Sequence, residues 1–151
     1  MNSPSMRQKS YSLGPLDTVL GFHLRRASFV FSPELRTTKG VPPGLLSILS
    51  VVSANPEINQ SAVSRTLRID AANLVPLIDT LVAKKLLTRG KHPGDRRSNL
   101  LSLTPAGRKK LQSTLALVRA LESRMLKGFS RQERETLTKL LKRIHMSPQA
   151  D

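Results

Sequence analysis

The chain has 151 residues, the size of one ordinary domain, with 38% hydrophobic residues to build a core but only 3% aromatic residues and no tryptophan. Its 25 lysines and arginines against 10 acids leave a net charge of +15, which favours a polyanionic partner, with nucleic acid ahead of an anionic membrane surface. The lack of cysteine excludes a disulfide framework, thiol redox sensing and cysteine-based zinc sites, and fits a cytoplasmic setting.

Residues 1–15, MNSPSMRQKSYSLGP, are rich in serine and proline and have no apolar signal region, so they read as a flexible N-terminal segment. Leu16, Val19, Leu20, Leu24, Ala27 and Val30 recur at helical spacing and predict a first helix starting at Leu16. Ser32-Pro33-Glu34, a cap followed by proline at a first helical position, predicts a break in it. Val41-Pro42-Pro43 opens a second helix, in which Leu45, Leu46, Ile48, Leu49 and Val52 are apolar over much of the circumference. This run is far too short to span a bilayer, and Asn55-Pro56 ends it.

A third helix is expected from about Asn59 to Leu67, with Ala62, Val63 and Leu67 inward and Ser61, Arg65 and Arg68 outward. Asp70 suits the N-cap of a fourth helix reaching about Lys85, striped by Leu74, Leu77, Ile78 and Leu81. Pro76 lies past its first turn, removes one backbone hydrogen bond and predicts a local distortion. Leu86 to Lys91 and Asn99 to Leu103 are β-compatible runs on either side of a charged loop, Lys91 to Ser98.

Thr104-Pro105 is a hydroxyl cap followed by proline at the first position of a long helix, expected to reach about Lys127 and to stop at Gly128. Leu111, Leu115, Val118 and Met125 mark one face, widened by Leu117 and Leu121. Ser130-Arg131-Gln132-Glu133 is a capping box for a last amphipathic helix carrying Leu137, Leu140, Leu141 and Ile144, and residues 147–151 read as a flexible tail. The expected fold is mainly α with a small β-wing: a winged helix-turn-helix DNA-binding lobe over residues 41–104 and a helical dimerisation region over 16–40 and 105–146.

These residues carry a family resemblance. Asp95-Arg96-Arg97 followed by Leu101-Ser102-Leu103-Thr104-Pro105-Ala106-Gly107 resembles the wing tip and helix start of the MarR family of bacterial winged-helix transcription regulators. Gln60-Ser61-Ala62-Val63-Ser64, Leu77-Ile78-Asp79 with Leu81, and Leu24-Arg25-Arg26-Ala27 match the family's two helix-turn-helix helices and its first helix, so the likeness spans roughly Leu16 to Ile144. The resemblance implies a homodimer in which the first helix and the last two interlock. It further implies a repressor released from DNA when a small molecule, often an aromatic acid or phenol, enters a cleft between the lobes. The chain departs from the pattern at Lys85, where glycine is usual, at Val41, where a capping hydroxyl is common, and at Gly44, where a larger residue is usual.

On this reading the fourth helix enters the major groove with Ala72, Asn73 and Pro76 leading and no basic residue among them. Asn73 suits a bidentate pair with adenine and equally a bond to its own backbone, while Ala72 and Pro76 suit thymine methyls. Thr80 and Lys84 are placed for backbone oxygens, and Ser61, Ser64, Arg65 and Arg68 face the DNA backbone from the third helix. By resemblance, Arg97 enters the minor groove and Asp95 holds the loop by pairing with an arginine; Lys91, His92 and Arg96 add phosphate contacts.

Phe22, His23, Arg26 and Phe29 on the first helix are the candidate effector residues, since a cation beside aromatic rings suits an aromatic carboxylate. A coenzyme A thioester is a natural extension, its phosphates going to Arg and Lys near the cleft. The same phenylalanines equally suit a dimer core, and Arg25 and Arg26 equally suit salt bridges. His23, His92 and His145 are scattered, no metal-ligand spacing, nucleophile elbow or P-loop is present, and neither an enzyme nor a cofactor is expected. The competing readings are a constitutive or architectural DNA-binding protein without an effector, and an RNA-binding winged helix, which the lack of an aromatic platform disfavours.

Overall fold

The structure, a computed structural model, describes residues 12–37, 41–92 and 95–146, with the backbone alone for 31–37, 91–92 and 95–99. It divides into two compact units, the first ending at Thr37 and the second beginning at Thr38.

In the first unit a 3-10 turn, Gly14–Thr18, precedes α1, Leu20–Thr37. The helix therefore begins four residues later than the apolar spacing from Leu16 predicts. Pro15 occupies the first turn of the 3-10 segment behind a left-handed Gly14, and Val19 is extended. The Val19 carbonyl accepts the first helical bonds from the Phe22 and His23 amides at 3.1 and 3.3 Å. The predicted break at Ser32-Pro33-Glu34 does not occur, because α1 runs through it. Proline's fixed φ is compatible with a helix, and the single lost bond is carried by the rest of an 18-residue helix.

The second unit holds α2 (Pro43–Ala54), β1 (Ile58–Asn59), α3 (Gln60–Leu67), α4 (Ala71–Ala83), β2 (Leu87–His92), β3 (Asp95–Leu103), α5 (Pro105–Met125) and α6 (Arg131–Met146). The three strands form one antiparallel sheet in the order β1-β3-β2. Leu87 lies opposite Leu103, and Ile58 opposite Leu101. β1 escapes a reading by periodicity, since two residues carry no period. Leu45, Ile48, Leu49 and Val52 of α2, Val63 of α3, Leu74, Ile78 and Leu81 of α4, Leu87, Leu101 and Leu103 of the sheet, and Leu111 of α5 form one buried cluster. This aliphatic core holds the helix-turn-helix against the wing strands, and removing a side chain such as Ile48 to alanine costs about 2–5 kcal/mol.

The helix ends are fixed by local chemistry. The Asn59 side chain caps α3 by accepting from the Ala62 amide at 2.8 Å, and Thr104 caps α5 by accepting from the Gly107 amide at 2.9 Å. Asp70 stands at the N-cap of α4, as expected, but makes no side-chain capping bond; its carbonyl accepts from the Asn73 and Leu74 amides. Pro76 leaves α4 unbroken, and the Thr80 hydroxyl bonds back to its carbonyl at 2.8 Å. α2 has no hydroxyl at its start; instead the Val41 amide donates to the buried Thr114 hydroxyl of α5 at 3.3 Å. α5 ends at Met125, before Gly128, which is not in the left-handed region. Past its end the Arg134 guanidinium donates to the carbonyl of the C-cap residue Leu126 at 2.5 Å and to that of Phe129, before α6, at 3.1 Å.

The predicted capping box is present. The Ser130 amide donates to the Glu133 carboxylate at 2.7 Å and the Glu133 amide donates to the Ser130 hydroxyl at 3.2 Å. Beyond it α6 buries no residue, and Leu137, Leu140, Leu141 and Ile144 are 36–49% exposed along one side.

Candidate nucleic-acid interface

The turn between α3 and α4 is made by Arg68, Ile69 and Asp70. Arg68 adopts a left-handed conformation (φ 51°); its amide donates to Arg65 and the Ile69 amide reaches back to Ser64 at 3.1 Å. This pair of bonds is a Schellman cap, normally supplied by glycine. The same cap recurs at the end of α4, where Lys85 has φ 56°, its amide donates to Val82 at 2.8 Å and the Leu86 amide to Leu81 at 2.9 Å. The missing glycine at Lys85 therefore does not prevent the left-handed turn; the chain accepts the strain, about 1 kcal/mol, to keep the geometry.

What holds Lys85 in place lies across the lobe. The Thr104 hydroxyl donates to the Lys85 carbonyl at 2.8 Å, and the Thr104 amide donates to the Leu86 carbonyl at 3.2 Å. Gly107 packs so closely that a Cβ there would sit 2.0 Å from the Leu86 carbonyl oxygen and 2.8 Å from Leu103 Cδ2. Threonine and glycine at this spacing are thus required by one joint, in which the start of α5 seals the end of α4.

This frame leaves the leading face of α4 open. Ala72, Asn73 and Pro76 are all exposed, as are Ser61, Arg65, Arg68 and Lys84. Two of the sequence-predicted contacts are otherwise engaged. The half-buried Ser64 hydroxyl donates to the Ile69 carbonyl at 2.7 Å, and the Thr80 hydroxyl donates to the Pro76 carbonyl at 2.8 Å. The wing strands are longer than predicted: β2 reaches His92 and β3 starts at Asp95, paired with each other, so the predicted eight-residue loop is mostly strand. The register jumps from Lys91 opposite Asn99 to His92 opposite Asp95, so a bulge in β3 interrupts the ladder near the tip. The side chains of Lys91, His92, Asp95, Arg96 and Arg97 lie outside the described residues.

One contact is not foreseen from the sequence. Asp79 of α4 pairs with Arg89 of β2, Oδ1 to Nη2, at 2.6 Å. The separation of ten residues across a turn has no helical or strand period, so only the folded geometry reveals it.

In the first unit the four candidate effector residues lie along α1. The Arg26 guanidinium sits 5.7 Å from the Phe22 ring centroid, and the Phe22 and His23 rings meet edge to face at 5.6 Å. The His23 ring bonds the Asp17 carbonyl at 2.7 Å, which ties it to the 3-10 turn. Phe29 is 60% exposed and is covered by Arg25 at 5.5 Å rather than by Arg26. In the second unit a cavity of about 330 Å³ is lined by Val41, Pro42, Lys84, Leu86 and Lys110.

A family model described as MarR family matches residues 39–98. The chain is 35% identical over 136 residues to a putative transcriptional regulatory protein for the hcr operon of Thauera aromatica, an alignment covering 87% of this chain and 82% of that protein. Among solved structures, the transcriptional repressor CouR bound to a 23-mer DNA duplex superposes with a TM-score of 0.84 at 31% identity, over 90% of this chain and 99% of that one. CouR bound to p-coumaroyl-CoA superposes with a TM-score of 0.78 at 29% identity, over 92% and 100%.

Proposed function

The chain belongs to the MarR family of winged-helix transcriptional regulators, a family without enzymatic activity, and from that membership we propose that it is a homodimeric repressor. It binds a pseudo-palindromic operator in the cytoplasm and leaves it when a small anionic aromatic effector binds. The observation that carries the DNA reading is the open face of α4. Ala72, Asn73 and Pro76 are exposed on a helix whose other side is locked into the core by Leu74, Ile78 and Leu81. Asn73 and the two apolar side chains read base edges, Arg65, Arg68 and Lys84 hold phosphates, and Arg97 at the wing enters the minor groove. Two copies related by a dyad place their recognition helices about one turn of DNA apart, roughly 34 Å.

Dimerisation is supported by the exposed apolar side of α6, which a single subunit leaves in water. The effector class is supported by the Phe22–Arg26 pair on α1, a ring beside a cation, and by the similarity to CouR, which has been solved with p-coumaroyl-CoA. An aromatic acid or its coenzyme A thioester fits that chemistry. A ligand releases DNA only if it binds the DNA-incompetent spacing of the two lobes more tightly.

The test is selection of duplexes by the full chain from random-sequence DNA, followed by footprinting and titration with aromatic acids and their thioesters. The expected result is a symmetric site bound about a thousandfold or more better than random duplex, with affinity lost on adding an effector. Equal affinity for random duplex would instead indicate an architectural DNA-binding protein, and a footprint over one asymmetric half-site would refute the dimer.

A further inference from the structure

Asp79 is the only charged residue in α4, and it stands on the face that the proposed function turns toward DNA. It lies three residues after Pro76 and seven after Ala72, so all three share one side of the helix. A lone carboxylate there repels phosphates, since the groove backbones lie within a screening length of about 8 Å. The fold answers this charge with Arg89, which reaches from the wing strand β2 to Asp79 at 2.6 Å. The pair contributes little to folding: the side chains of Arg89 and Asp79 are 31% and 53% exposed, and pairs so exposed are weak.

We infer that Asp79 and Arg89 are a positioning pair for DNA recognition: the bridge neutralises the recognition helix and sets the wing strand against it, so that groove contacts by helix and wing are made together. This rests on the reading of α4 as the recognition helix. Neither residue needs to touch a base. Asp79 holds a cation in one place, so that Arg89 cannot follow any phosphate that passes; Arg89 silences an anion that no DNA would accept. Specificity gains from both effects, because random and selected DNA offer the same phosphates but only the selected site rewards the fixed geometry.

The charges make the two residues unequal, and this gives the test. Binding of the full chain is measured on a duplex that it selects from random-sequence DNA and on random duplex, for wild type, Asp79→Asn, Arg89→Gln and the double variant. Asp79→Asn is expected to weaken the selected site about fivefold while random-duplex affinity holds or rises, because the protein has lost a negative charge and released Arg89. Arg89→Gln is expected to weaken both, and the double variant to bind better than Arg89→Gln alone, because removing the carboxylate removes the repulsion. If Asp79→Asn lowers both affinities in proportion, or the double variant binds no better than Arg89→Gln, the inference is overturned. Thermal unfolding of each variant should stay near that of wild type; an Asp79→Asn chain that does not fold would show a structural pair and would also overturn it. A wild-type chain that selects no sequence removes the recognition reading itself, an outcome distinct from a selecting chain whose variants show no split.

Discussion

At the scale of single residues, two positions show the backbone overruling side-chain preference in opposite ways. Gly107 is needed for space: any Cβ meets the Leu86 carbonyl, which Thr104 already holds. Gly107→Ala is therefore expected to destabilise the chain by about 3 kcal/mol, read as a shift in the urea midpoint. Lys85 is the reverse case, a side chain tolerated where glycine fits better. Lys85→Gly is expected to raise stability by about 1 kcal/mol by relieving the left-handed strain, and a fall would show that the lysine makes a compensating contact. Glu57 shares that strain at φ 58°, after Pro56, in a turn closed by the Ile58 amide on the Asn55 carbonyl, the pattern of a type II turn.

Among the elements, α6 carries a titratable start. The Ser130 hydroxyl, and after it the Ser130 amide, hold the Glu133 carboxyl below the usual carboxylate range. A depressed folded-state value means that the box contributes above the unfolded carboxylate pKa and is lost as the pH falls through the lower folded one. The first turn of α6 is accordingly expected to fray on acidification, visible as loss of helical NMR shifts at residues 131–134. Glu133→Gln keeps the hydrogen-bonding pattern but should show no such transition. This box, the Thr104-Pro105 start and the apolar stripes of α2 and α4 are legible in the sequence because each depends on neighbours within one or two turns. The uninterrupted α1 is not, since Pro33 offers both a start and a tolerated interior position. Arg68 and Lys85 hide their Schellman caps because the usual marker, glycine, is absent. Asp79 and Arg89 meet only after two elements pack, and Ser64 reads as a surface hydroxyl until the Ile69 carbonyl is placed beside it.

For the molecule as a whole, the exposed row on α6 is the feature that asks for a second copy. If Leu137, Leu140, Leu141 and Ile144 lie in the subunit interface, Leu140→Glu should give monomers in sedimentation velocity and lower affinity for a palindromic site about a hundredfold, since the second half-site is no longer tethered. A dimer that persists would move the interface elsewhere. The joint between α4 and α5 then acquires a mechanical meaning. Lys85 and Leu86 are bonded to Thr104 and pressed against Gly107 without slack, so the two helices turn as one piece. α5 has 21 residues and is about 31 Å long. A rotation of about 10° about the joint swings its far end by roughly 5 Å, one full turn of helix pitch. Within the second unit α5 is in this sense the long arm of a stiff crank and α4 the short one, so a small displacement at the far end of α5 is carried to α4.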